Sequence, residues 1–490
     1  MATVPSAALD ESQLVQVVFF LAPRATIRLQ WTSKTSSFSR VTTKNAVWAK
    51  HLSRVFALEA DAASKAPAGQ ESGGSLQKSF ALWAAVAKDA GIACLDETPT
   101  SMGFTRGARP VECDLPISAD WLEACARMCR WLRPNAPAVL DTMRPPVTET
   151  DALLLLLESQ EIKLSSKVFD FWRIFDGQDG RMLDESLAEL LGMQVMESAD
   201  DFAQGVFGGY AAYRHEVSSM MLPLSAALKL TSFLQERIPP LRQRHRTKMV
   251  FANSYNFDKI FLVDTKDLGV YIWTRRQDPL VERAAPSNVE NPFLAWVVEY
   301  VNRLESGVYT MRALRPERAP ATIGICLFPT VGRGYSRCVT QGVEVVASSI
   351  YMPESPQGWT YSISFSLVGT AESRGYKTCQ LKSRQWVIQD DSSSGPETVN
   401  GEGVIGFFPI LTDGGWILNR ESDPHDQYSR DAGFVEGAFQ YQSCAGRLPS
   451  MQGSFGGTLT FIPGTIRSPK GPPFQVTLEH FRLERAEYLY

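Results

Sequence analysis

A chain of 490 residues is too long for one core of ordinary size and predicts about two to four domains. With 44% hydrophobic and 21% charged residues it has the balance of a chain that folds over most of its length. A net charge of -4 supplies no electrostatic drive toward nucleic acid or acidic membranes, so neither is an expected partner.

From Leu9 to about Met143 helical periodicity dominates. Leu14, Val17, Val18 and Leu21 hold the spacing of one helix face, and Pro23 closes that helix. A short stretch with Ile27, Leu29 and Trp31 follows, and Ser33-Lys34 opens a segment leading to Trp48, Leu52 and Phe56. Three short helices make a core too small to stand comfortably alone, which implies a partner over the remaining apolar surface. Ala57 to Ser75 reads as a mobile linker. Trp121, Leu122, Cys125, Met128, Cys129 and Leu132 predict an amphipathic packing helix that ends at Pro134.

Between about Val147 and Leu314 helices and strands mix. FANSYNFDKIFLVD and GVYIW predict paired strands across a turn at Asp264 to Gly269. Gln235 to Lys248 gathers Arg237, Arg242, Arg244, His245, Arg246 and Lys248 beside Pro239-Pro240, a solvated connection that is also able to receive a phosphate or an acidic peptide.

From about Gly332 onward, Gly, Pro, aromatic and β-branched residues alternate with turn signals, as in a β-sandwich or barrel. Tyr361, Ile363, Phe365 and Leu367 share one parity against Ser362, Ser364 and Ser366, the pattern of a half-buried strand. Gly401, Gly403 and Gly406 match G-x-G-x-x-G, but Pro409, the run Phe407, Phe408, Ile410 and the turn signal Asp413-Gly414-Gly415 forbid the helix that a dinucleotide site needs. Two roles remain for these glycines. They serve a close-packed or positive-φ backbone, or their N–H groups, with Arg384, receive a phosphate-bearing ligand.

No catalytic constellation is legible. The five histidines stand far apart and no Ser lies in a G-x-S-x-G elbow. Asp423, His425 and Asp426 read as turn residues. The eight cysteines form no C-x-x-C, and Cys125 and Cys129 read as core thiols. No metal and no cofactor are expected. Without a basic leader or an apolar run of membrane length, and with scattered thiols, the expectation is a soluble, non-secreted chain, cytoplasmic and/or nuclear.

Three resemblances overlie this reading. LDESQLVQVVFFLAPRATIRLQWTSK, continued by NAVWAKHL, resembles an F-box: Leu9, Leu14, Val17, Val18, Leu21, Pro23, Ser33, Lys34 and Trp48 fit its pattern, whereas Asp10 stands where the family has Pro. The middle segment, with Asp176-Gly177-Gln178, resembles the SUKH superfamily, an α+β recognition fold. VTQGVEVVASSIYMPE, LKSRQWVIQD and GEGVIGFFPIL resemble the ApaG domain, an immunoglobulin-like or fibronectin-like sandwich that itself carries G-x-G-x-x-G. Gly433 to Gly437 and Asn419 to Ser422 depart from its usual turns. The order, with Pro463 to Gly471, is that of the ApaG-containing F-box proteins, including those of plants.

The resemblance implies a multidomain chain: an all-α F-box over 9–56, a linker and helical segment over 57–118, a helical entry plus SUKH-like α+β domain over 119–330, and an all-β ApaG sandwich over 336–490. It implies a non-catalytic substrate-recognition subunit of a cullin-RING ubiquitin ligase, with a Skp-type adaptor and cullin as partners and an unnamed target. Leu9, Leu14, Val17, Val18, Leu21, Pro23, Ser33 and Trp48 would contact the adaptor. The rivals are a scaffold without adaptor and a sensor of a small phosphorylated ligand at Arg384, Gly401, Gly403 and Gly406.

Overall fold

The computed structural model describes residues 118–144, 166–182, 184–196, 203–213, 215–274, 280–316, 322–418 and 433–490. The F-box-like segment, the linker after it and the Asp423, His425, Asp426 trio lie outside the described residues. Two compact units divide the chain. One takes the described parts of Met1–Asp179 with Pro223–Thr247 and Thr265–Leu268; the other takes Gly180–Leu222, Lys248–Asp264 and Gly269–Tyr490. Residues of both units fall within 119–330, and the second unit runs on through residue 336.

In the first unit, helix α1 (Ala119–Asn135) buries Trp121, Leu122, Cys125, Met128, Cys129 and Leu132, the face its periodicity predicted, and takes Pro134 into its last turn. Trp121 stacks on Phe171 at 5.1 Å, and burial pushes the Cys129 thiol up to about 12, so this thiol packs as an apolar group. Gly177 adopts φ 70°, which frees the turn that carries Gln178 inward to donate to Thr142 Oγ1 at 2.7 Å. The same turn presents Asp176 Oδ1 to the Leu224 N–H at 2.9 Å, satisfying an orphan donor in the first turn of α2 (Leu224–Arg237). Helix α3 (Pro239–Arg244) follows at once, its prolines placed where no amide is missed.

The second unit is built on an eight-stranded sheet followed by a sandwich. The sheet comprises β1 (Gly209–Ala212), β2 (His215–Met221), β3 (Lys248–Ser254), β4 (Ile260–Asp264), β5 (Val270–Trp273), β6 (Val281–Arg283), β7 (Thr310–Ala313) and β8 (Ile323–Cys326), with helix α4 (Pro292–Glu305) between β6 and β7. Its order is β6-β5-β4-β3-β2-β1-β8-β7, all antiparallel except β1 with β8. The predicted pairing across Asp264 to Gly269 is present as β4 with β5, Val263 facing Val270. Asn291 caps α4, and its face of Phe293, Trp296, Val297, Tyr300, Val301 and Leu304 is buried. Phe207, Phe251 and Phe261 close round Trp296 at 4.8 to 5.5 Å.

After β8 the chain turns almost wholly to strands. A four-stranded sheet pairs β9 (Tyr335–Thr340), β10 (Val343–Met352), β11 (Gly358–Leu367) and a later strand, Phe439–Cys444. The second sheet is centred on β12 (Cys379–Asp390), flanked by β13 (Glu397–Glu402) and by β14 (Ile410–Thr412), which continues to β15 (Gly415–Ile417) and β16 (Val435–Glu436). With Phe439–Cys444 as β17, the sheet is completed by β18 (Gln452–Pro463) and β19 (Phe474–Glu484). The core lies between the sheets, where Phe365 meets Phe461 at 5.9 Å and Tyr361 meets Phe455 at 4.6 Å. The predicted parity of β11 holds in part: Tyr361, Ile363 and Phe365 are buried in this core, but Leu367 is only part-buried and Ser362 is buried as well.

Candidate functional site

The glycine motif forms a tight hairpin. Val404 N–H donates to Phe407 O at 2.9 Å and Phe407 N–H returns the bond to Val404 O at 2.7 Å, so Ile405 and Gly406 are the two turn residues. Both lie at positive φ, 42° and 89°, as a type I′ hairpin requires. Gly403, at φ 54°, passes so close to the returning strand that a Cβ would stand 2.5 Å from Phe407 O. No helix follows; β14 does.

Arg384 lies on β12 directly opposite Gly401 of β13. Its Nη1 donates to Glu402 O at 3.0 Å and to Gly403 O at 2.7 Å, fastening the hairpin base. A Cβ at position 401 would meet Nη1 at 2.7 Å, so the glycine there makes room for the guanidinium. The structure thus brings Arg384, Gly401 and Gly403 together, with Gly406 at the hairpin tip. The N–H groups of Gly403, Val404 and Phe407 are engaged with carbonyls of Lys382, Phe407 and Val404. Beside Arg384 opens a polar groove of about 670 Å³, lined by Asn400, Glu402, Thr458, Thr460 and Gln475 among others. Such a lining offers hydrogen-bond donors and acceptors.

A second polar site was invisible in the sequence. Lys259, just before β4, and Glu354, in the β10–β11 turn, both have fully buried side chains, and Nζ stands 3.7 Å from Oε2. Glu354 Oε1 also takes the Tyr210 hydroxyl and meets His215 Nε2 at 3.0 Å, while Lys259 Nζ donates to the backbone oxygen of Tyr490 and lies 3.4 Å from Tyr210 Oη. Burial alone would raise the Glu354 carboxyl, but Lys259, His215 and Tyr210 together hold it down at about 2. Burial pulls Lys259 below the usual lysine value, and Glu354 opposes that pull. The groups come from the sheet, the sandwich turn and the chain's last residues, so they lock these parts of the second unit together. No short-range pattern announces such a cluster; its only trace is a lysine directly before the apolar run Ile260 to Val263.

His215 makes this cluster pH-sensitive. Burial would lower its imidazole, but the carboxylates of Asp258, 3.6 Å from Nδ1, and of Glu354, hydrogen-bonded to Nε2, outweigh burial and raise it from 6.5 to about 9. The folded value lies above the unfolded one, so its stabilisation is complete below pH 6.5 and is lost as pH rises through about 9. A loss of about 2 kcal/mol over that window is expected, discounted for the half-exposed Asp258. Melting temperature across the window should fall in the wild type and stay flatter in His215→Gln; equal slopes would exclude His215 as the cause.

Among the described residues no three metal-capable side chains gather, and no helix is long and apolar enough to cross a membrane. The six described cysteines are free thiols. The expected adaptor contacts Leu9, Leu14, Val17, Val18, Leu21, Pro23, Ser33 and Trp48 lie outside the described residues.

Comparison with known proteins places this architecture. The family model for the ApaG domain matches residues 353–443, from the β10–β11 turn into β17, and so contains Glu354, Arg384 and the glycine hairpin. Protein ApaG of Bradyrhizobium sp. (strain ORS 278) is 32% identical over 116 residues, 22% of this chain and 82% of that protein. Protein ApaG of Rhodopseudomonas palustris (strain TIE-1) is 36% identical over 112 residues, again 22% and 82%. F-box protein SKIP16 of Arabidopsis thaliana is 30% identical over 382 residues, 74% of this chain and 78% of that protein, a span far wider than the ApaG domain. This chain accordingly belongs to the F-box proteins that carry a carboxy-terminal ApaG domain.

Proposed function

We propose that this chain is the substrate-recognition subunit of an SCF-type cullin-RING ubiquitin ligase. The observation that carries the reading is the 30% identity with an F-box protein across 74% of the chain. In this reading residues 9–56 fold as the F-box and dock a Skp-type adaptor through Leu9, Leu14, Val17, Val18, Leu21, Pro23, Ser33 and Trp48, and the adaptor bridges to cullin. Residues 119–330, as a SUKH-like α+β region, and the immunoglobulin-like or fibronectin-like ApaG sandwich over 336–490 present the target. The subunit contributes proximity: it raises the local concentration of target lysines near a charged conjugating enzyme and performs no covalent step itself. Its place of work is the cytoplasm, the nucleus or both.

The test is co-purification with a Skp-type adaptor and cullin, beside the double variant Leu14→Asp, Val18→Asp. Two charges on an apolar docking face should weaken capture by at least about a hundredfold. Capture by wild type and its loss in a variant whose second unit still melts cooperatively is the expected result. A folded wild type that captures no adaptor overturns the proposal. Thermal stabilisation of that chain by pyrophosphate would then favour the ligand-sensor reading at Arg384, and its absence the scaffold reading.

A further inference from the structure

The basic stretch after α2 resolves into two kinds of residue. Lys248 is spent within the second unit: its Nζ pairs with Asp264 Oδ2 at 2.8 Å and lies 4.0 Å from the centre of the Tyr271 ring. Arg237, Arg242 and Arg244, in the first unit, are exposed. Arg237 ends α2 with its guanidinium over the Phe233 ring at 4.3 Å, while Arg242 and Arg244 fill the last turn of α3. None of the three takes part in an ion pair among the described residues.

The three arginines lie within eight residues of one another, on either side of the α2–α3 junction. Only Ile238 separates α2 from α3, and Pro239-Pro240 fixes the start of the second helix. Gln235 Nε2 donates to Arg246 O at 3.3 Å, drawing the chain beyond α3 back to the end of α2. The backbone of a fourth arginine, Arg246, is thereby held at the end of α2. The one carboxylate in the stretch from Gln235 to Lys248 is Glu236, in a chain whose net charge is -4. One cation at each helix end would satisfy the macrodipole. Additional arginines add mutual repulsion, which an anion laid across them relieves. Planar guanidinium forks suit phosphate and carboxylate better than they suit water.

We propose that Arg237, Arg242 and Arg244 form the docking site for an anionic peptide segment, phosphorylated or rich in Asp and Glu, of the protein that this chain recruits. The assignment of that segment to a recruited target rests on the ligase reading; the binding surface itself stands on the arginines. Exposed charges would steer the encounter and give the contact a steep dependence on salt.

The test is fluorescence anisotropy with the full chain and a short acidic peptide carrying two phosphoserines, beside its unphosphorylated twin and a twin with Glu in place of each phosphoserine. The expected result is that the phosphopeptide or the Glu peptide binds, and that Arg237→Glu, Arg242→Glu, Arg244→Glu weakens binding by at least about tenfold. Arg→Lys at the same positions should recover part of it, since charge returns without the fork. Because the three side chains are exposed, the variants should melt with the wild type; a triple Gln variant serves if charge reversal disturbs folding. Binding by the Glu or Gln triple variant equal to wild type overturns the proposal, as does a wild type that binds neither anionic peptide. Arg-dependent binding to vesicles rich in phosphatidylserine without peptide binding also overturns it, in favour of a membrane. Adaptor capture is scored on the same preparations, so a chain that binds peptide and no adaptor loses the ligase reading while keeping the surface.

Discussion

Lys259→Met is expected to lower the unfolding free energy of the second unit by about 3–5 kcal/mol. The side chains of Lys259 and Glu354 are both fully buried, and Glu354, held at about 2, stays ionised across the physiological range. Removing the ammonium leaves that carboxylate with neutral Tyr210 and with His215 as its remaining donors. It also strips Tyr490 of the donor to its backbone oxygen. The measurement is chemical denaturation followed by tryptophan fluorescence, with a double variant, Lys259→Met with Glu354→Gln, as the decisive partner. If the single loss is the cost of a buried carboxylate deprived of its ammonium partner, the double variant should be clearly more stable than Lys259→Met alone. Losses that simply add would show that the two side chains are not coupled.

Tyr490→Ala should cost about 3–5 kcal/mol, the range for emptying an aromatic site in a core. The Tyr490 ring packs against Trp296 at 4.8 Å and Tyr300 at 5.0 Å, and its hydroxyl donates to Trp296 O at 2.9 Å. The preceding residue is tied as well: Leu489 N–H bonds Ala284 O at 3.0 Å and Trp296 Nε1 bonds Leu489 O at 2.8 Å. These residues follow the last strand of the sandwich, yet they finish the core of α4 and the eight-stranded sheet. Tyr490→Phe keeps the ring and should lose only about 1 kcal/mol for the hydroxyl bond. A Tyr490→Ala variant no less stable than Tyr490→Phe, measured by melting and denaturant midpoint, would show that the tail does not seal this core.

The two units explain why the reading of the middle region was only partly available from local pattern. Periodicity located the buried faces of α1 and β11, and the aromatic-branched runs located β4 and β5, because each of those signals is carried by neighbours in the chain. Which unit a helix joins is a different matter. Helix α2 follows β2 by two residues yet belongs with α1, because the turn at Asp176 supplies its amino-terminal partner. The chain changes from mixed structure to strands after Cys326, and the second unit continues across that change. Lys259 with Glu354 and Trp296 with Tyr490 join residues far apart in sequence, and no window of the chain contains either pair.

The glycine motif shows the division most clearly. From sequence alone, Pro409 and the run of aromatic and branched residues excluded a nucleotide-binding helix, and the motifs around it identified the ApaG resemblance that the family model then matched over residues 353–443. These are local constraints, set by which backbone conformations Pro, Gly and β-branched residues permit. Tertiary structure decided the rest: Gly401 makes room for Arg384, Gly403 admits the Phe407 carbonyl, and a lysine inside the unit is tolerated because a glutamate almost a hundred residues later meets it. Such pairings depend on close approach in space and on desolvation, and neither quantity exists until the chain has folded.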